Sequence, residues 1–245
     1  LEEIGLAVVF LTRLPWPFAL GAERPLTAAA WAFPLAGALI GAVGALAFGA
    51  ADALGLPPVA AALIAVAATA LATGALHEDG LADVVDGFGG GRDAESKRRI
   101  MRDSRIGSYG VLALIVATGL KIACLASLGP DAAAALVAAH ALGRGVLPGL
   151  ARALPFAAED GLARLAGRPG RPGALWSAGL AGVLALGLLP GGIGLAAAVA
   201  AVAAAIGVGA LARRQIGGVT GDVLGAAEQM AEITVLLTIT AYLGP

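Results

Sequence analysis

Residues 76–110 read LHEDGLADVVDGFGGGRDAESKRRIMRDSRIGSYG and carry 13 of the charged side chains of a 245-residue chain that has only 16 Lys and Arg and 17 Asp and Glu in all. Uninterrupted apolar runs flank this stretch on both sides. Charge concentrated in one place and withheld elsewhere is the pattern of a membrane protein with a polar site at one surface. Composition agrees: the chain is 59% hydrophobic and 13% charged, with a mean hydropathy of +0.88. A soluble domain carries about 25% charged residues, so these are too few to cover a soluble surface.

Working outward, apolar segments at 29–50, 58–76, 106–128, 132–150, 174–189, 193–211 and 223–243 read as helices. The fold expected is all-α: one polytopic helical bundle over 1–245, with about seven spans and a charged catalytic loop at 77–105. Residues 1–20 are broken by Arg13, Pro15 and Pro17 and are too short to cross about 30 Å of hydrocarbon, so an interfacial or re-entrant helix is expected there. Pro34 should kink the first span, and Gly37 and Gly41 form a small-xxx-small pair suited to close helix contact. Gly/Pro turns follow at 55–58, 129–130 and 190–192. The first segment lacks the basic start and cleavage site of a signal peptide. Cys124 is the single cysteine, which excludes an intrachain disulfide and a cysteine metal cluster.

Of the 16 Lys and Arg, 14 fall in connecting segments, and all of those lie on one side if the spans alternate. The positive-inside rule places that side in the cytoplasm of a cell membrane. The net charge of −1 gives no basic field for nucleic acid. Lys121, His140, Arg144, Glu228 and Glu232 fall inside spans, where ionisable groups are costly and mark pairing or function.

Three groups of residues point to chemistry on a phosphate. Asp79, Asp83 and Asp86, at i, i+4 and i+7, share about 60° of a helix surface. Three carboxylates there repel one another unless a cation lies between them, and an all-oxygen set suits Mg²⁺; Glu78 points about 100° away and is a weaker ligand. Gly89, Gly90 and Gly91 offer backbone amides for an anion, followed by Arg92, Lys97, Arg98, Arg99, Arg102 and Arg105. In 217–222, GGVTGD, Thr220 and Gly221 are phosphate contacts, and Asp222 either caps the last helix or completes the metal site.

Four blocks resemble the cobalamin synthase family: FLTRLPWP at 10–17, HEDGLADVVDGFGGGRD at 77–93, IMRDSRIGSYG at 100–110 and GGVTGDVLGAAEQMAE at 217–232. The resemblance implies a Mg²⁺-dependent membrane transferase that joins adenosylcobinamide-GDP to α-ribazole or its 5′-phosphate and releases GMP. Joined to the reading of the residues, it gives a working assignment in which Asp79, Asp83, Asp86, Asp222 and Glu78 serve the metal, and Asp79, Asp83, Arg102, Asp103 and Arg105 serve catalysis. Arg92, Ser104, Lys121, Arg144, Thr220 and Gly221 are then the substrate contacts, with Asp103, Glu78 or His77 as base. The N-terminal segment with Arg13 and Pro15 would form a rim of the site. Docking of other cobalamin-assembly enzymes stays open.

Rival readings are a CDP-alcohol phosphotransferase, whose motif needs an Arg that DGLAD lacks, and a UbiA-type prenyltransferase, which needs a second aspartate-rich loop where 217–222 has one Asp. A transporter would be expected to show repeated halves, and none is evident.

Overall fold

A computed structural model describes residues 1–18, 24–158 and 161–244. Among these residues there is no strand, only a single parallel bridge between Phe156 and Val219. The helices are α1 (Glu2–Leu11), α2 (Phe33–Ala53), α3 (Pro58–Thr73), α4 (Leu76–Gly90), α5 (Ala94–Met101), α6 (Ser108–Leu128), α7 (Ala132–Gly145), α8 (Leu147–Ala153), α9 (Leu162–Ala166), α10 (Arg171–Leu188), α11 (Ile193–Ile216) and α12 (Gly221–Leu243). The fold is the expected all-α membrane bundle.

Small residues set the packing. A Cβ on Gly37 would lie 2.2 Å from the His140 carbonyl oxygen, and one on Gly41 would lie 2.5 Å from Val137 Cα. The two glycines therefore let α2 and α7 touch backbone to backbone, as the small-xxx-small pair implies. Pro34 acts differently from the expected mid-span kink. It sits in the first turn of α2, directly after a 3-10 stretch, Leu26–Ala32. Its missing N–H costs nothing at a helix start.

Among the described residues, four stretches are long and apolar enough to cross a membrane: Leu26–Ala53, Ser108–Ala153, Ile193–Ile216 and Gly221–Leu243. A fifth arises if α3 and α4 count as one broken span, bent by 92°. Ser108–Ala153 doubles back. Lys121 Nζ lies 2.7 Å from Glu232 Oε1 and Arg144 Nη1 lies 3.1 Å from Glu232 Oε2, whereas residues 23 apart on one straight helix would be separated by roughly 35 Å. The expected count of about seven spans is not confirmed: α3 has 16 residues and α10 has 18, short of the ~20 that a span needs. Large apolar side chains stand exposed along α6, α10 and α11, including Leu112, Ile115, Trp176, Val183, Val199 and Ile206. In water such a surface would be untenable; in lipid it is the normal outer face.

The α3–α4 corner is built from two consecutive left-handed residues, Gly74 at φ 67° and Ala75 at φ 56°. Glycine adopts this without penalty, but alanine costs about 1–2 kcal/mol. The strained alanine immediately precedes the acidic helix, so the corner fixes where α4 begins. Residues 77–90 are thus helix inside the bundle, against α6 and α12, rather than loop. α1 has 10 residues and packs on the 3-10 stretch and α2, too short to cross.

Candidate active site

The site forms where α4 crosses α12. A Cβ on Gly80 would lie 2.8 Å from the Asp222 carbonyl oxygen, and one on Gly225 would lie 3.2 Å from His77 Cα. These glycines bring the two backbones together and set Asp222 beside the acidic face of α4. The cap of α12 is Thr220, whose Oγ1 accepts from the Val223 amide at 3.2 Å and donates to Asp222 Oδ2 at 3.3 Å. Of the two readings of Asp222, the structure rules against the cap: its carboxylate stays at the site.

The aspartate trio separates. Asp79 is exposed and Asp83 half-buried, but Asp86 is buried. The Asp86 carboxylate accepts from the amides of Gly107 at 2.7 Å and Gly110 at 2.9 Å, so it closes the start of α6. A Cβ on either glycine would collide with it. Asp83 has Asp79, Asp222 and Asp86 as its electrostatic neighbours, and Asp222 has Asp79 and Arg102. The carboxylates grouped at the site are thus Asp79 and Asp83 from one helix and Asp222 from another.

Glycines 89–91 are not an anion cradle. Gly89 and Gly90 complete α4, and the Gly91 amide donates to the Gly87 carbonyl at 3.0 Å. Their smallness admits the Tyr109 ring against Gly89 and Lys97 against Gly91. Asp93 and Ser96 form a capping box on α5, with Ser96 holding the Asp93 carboxyl below its usual range. Lys97 is tied to Gln215, and Arg98 Nη1 donates to the Ile216 carbonyl at 3.2 Å, which fastens α5 to the end of α11. Arg92 and Ser104 are exposed. Arg105 is also exposed and donates through Nε and Nη2 to Asp103 at 3.1 and 2.9 Å. Those bonds hold the Asp103 carboxyl below the usual carboxylate range, which makes it a poor base.

Lys121 and Arg144 are not placed to touch substrate. They are 3% and 1% exposed and lie within a buried ionic cluster under the site. Arg144 Nη1 contacts both Glu228 and Glu232, and also His140 Nδ1 at 2.7 Å. Lys121 Nζ reaches Glu232, with Glu78 Oε1 at 3.8 Å. Glu78 is therefore turned toward Lys121 and the buried cluster, where its charge also acts on Glu228. Among the described residues, His140, Glu228 and Glu232 are the one set of potential ligands with atoms within 4.8 Å of one another. Arg144 and Lys121 already compensate it.

A cavity of about 420 Å³ opens beside the crossing. Phe10, Phe33, Leu147 and Phe156 form its apolar wall. Asp79, Arg102, Thr220 and Asp222 form its polar end. Phe156 is held in place by two backbone bonds, Val219 N to Pro155 O at 2.8 Å and Ala157 N to Val219 O at 3.0 Å. Arg164 and Arg168 stack over its ring at 5.9 and 5.4 Å from the centroid. Sequence reading missed this wall because its residues come from four separate segments. The N-terminal helix does contribute a rim, through Phe10 and Leu11, while Arg13 is packed against Gly74.

The family model described as cobalamin-5-phosphate synthase matches residues 3–240. The chain belongs to that family. Among its relatives is a protein of Bradyrhizobium diazoefficiens, 46% identical over 99% of this chain and 94% of the relative. Another, from Mesorhizobium japonicum, is 45% identical over 99% and 94%. One from Ralstonia nicotianae is 43% identical over 98% and 95%. All three carry the name adenosylcobinamide-GDP ribazoletransferase. No solved structure matches the chain. The four blocks that suggested cobalamin synthase meet around the cavity and at the α4–α12 crossing, so the family's sequence pattern coincides with this site.

Proposed function

We propose that the chain is a membrane-bound adenosylcobinamide-GDP ribazoletransferase whose site faces the cytoplasm. A ribazole hydroxyl attacks the phosphorus next to the corrinoid side chain. The O–H bond and the diphosphate bridge break, the new P–O bond forms, and GMP leaves with the proton released to the products. Phosphoryl transfer of this kind depends mainly on positioning and charge stabilisation.

The carrying observation is the α4–α12 crossing, which sets Asp79, Asp222 and Arg102 at the polar end of an apolar cavity, with Asp83 an electrostatic neighbour of both aspartates. The oxygen-only donors and the mutual repulsion of Asp79, Asp83 and Asp222 fit Mg²⁺. Their ligand atoms are not gathered within 4.8 Å of one another, so Mg²⁺ held there would take water and substrate oxygens to complete its ligand set. Bound there, Mg²⁺ supplies charge neutralisation on the diphosphate. Arg102 steadies phosphate oxygens, and Thr220 and Gly221 border them. The apolar wall receives the aromatic part of the acceptor and excludes water. A volume of about 420 Å³ suits a molecule of drug size.

The test uses purified protein in liposomes with adenosylcobinamide-GDP, α-ribazole 5′-phosphate and Mg²⁺. A corrinoid product and GMP in equal amounts are expected. Release of CMP from a CDP-alcohol, or of pyrophosphate from a prenyl donor, with no GMP release, would overturn the reading.

A further inference from the structure

His77 stands between the cavity and the buried ionic cluster. It is 3% exposed and belongs to the cavity wall two residues before Asp79. Its Nδ1 faces the cluster, 3.2 Å from Arg144 Nη2. A guanidinium has only N–H groups to offer, so at that contact Nδ1 accepts. The competing arrangement would have Nδ1–H donate to Glu228. Glu228 Oε2 is 3.5 Å away, beyond a good hydrogen bond, and already accepts from Gln229 Nε2 at 2.9 Å. The other oxygen, Oε1, is engaged by Arg144. A proton on Nδ1 would also meet the Arg144 N–H head-on. With Nδ1 accepting, a neutral ring carries its proton on Nε2, and His77 is among the residues that line the cavity.

We infer that His77 is a tautomer-fixed hydrogen-bond donor, its Nε2–H directed to a phosphate oxygen of the substrate, with Arg144 as the residue that positions it. This rests on the phosphoryl-transfer reading above and removes His77 from the candidate bases. It also accounts for the buried cluster. Arg144 is itself held by Glu228 and Glu232, so the ring is oriented by a network anchored on α7 and α12. A positioned donor to a developing phosphate charge is worth about 10²–10³ in kcat.

Glutamine places an amide N–H near the position of Nε2; glutamate has the same reach and no donor. His77→Gln should lower kcat of GMP release by up to about tenfold, and His77→Glu by about 100-fold or more, with little change in KM. A base would give the reverse order, and a merely structural role would lower both alike, together with the amount of folded protein. The second measurement is the ¹⁵N spectrum of wild-type protein labelled at its two histidines, with His77→Gln used to assign the signals. A protonated Nε2 and bare Nδ1 at His77 are expected. Because that spectrum needs no turnover, it separates failure of this assignment from failure of the functional reading. Equal losses in the two variants, the reverse order, or a protonated Nδ1 would overturn it.

Discussion

Asp86 and Asp79 look alike in sequence and do different work. Both lie on one stripe of α4, yet Asp86 is spent on the amides of Gly107 and Gly110. Asp86→Ala strips the start of α6 of its acceptor and should cost about 1–3 kcal/mol, read as a lower unfolding temperature in detergent. Its effect on Mg²⁺ half-saturation should be small. Asp79→Asn should do the opposite, with stability nearly kept and Mg²⁺ half-saturation raised at least several-fold. Equal Mg²⁺ shifts in the two variants would contradict this division. The i, i+4, i+7 spacing made the shared stripe legible, but spacing cannot say which neighbour each carboxylate meets. The same limit applies to Lys121 and Arg144. Their placement in apolar runs announced pairing or function, and only the partners Glu228 and Glu232 decide for pairing.

At the scale of elements, the site depends on two helices touching at glycine. Any side chain on Gly80 meets the Asp222 backbone, which cannot retreat without moving α12. Gly80→Val should therefore abolish most GMP release while the protein still reaches the membrane; wild-type turnover would show that the crossing is not needed. The buried cluster ties α4, α6, α7 and α12 together beneath the crossing. Arg144→Met leaves Glu228 buried without its cation and Glu232 with Lys121, and should destabilise by about 3–5 kcal/mol, with Glu228→Gln added to it restoring part of the loss. No recovery in the double variant, by thermal unfolding, would contradict a charge-balance role. The α4–α12 contact was not legible in the sequence, because a glycine's spacing does not say which helix it meets, and the triple glycine at 89–91 misled. Inside a helix, amides already bonded to the preceding turn are closed to an anion.

For the whole molecule, composition made the membrane bundle legible, since apolar surface on this scale is stable only in lipid. The number of passages was not legible, because short helices such as α3 and bent pairs such as α3–α4 blur the length rule. The proposed orientation rests on arginines that lie on one side if the spans alternate, and labelling tests it. Cys124 is buried, so single cysteines can be added at exposed positions. In intact cells an impermeant maleimide should label Leu56→Cys and spare Arg99→Cys; the reverse pattern would invert the topology and move the site to the outer face. The central claim is that carboxylates from α4 and α12 hold the cation on the diphosphate. The most direct measurement is GMP release by purified wild-type and Asp83→Asn proteins in liposomes across a Mg²⁺ series. Mg²⁺-dependent release by the wild type and a loss of about 100-fold or more in the variant are expected, and an unchanged rate with unchanged Mg²⁺ half-saturation would contradict the account.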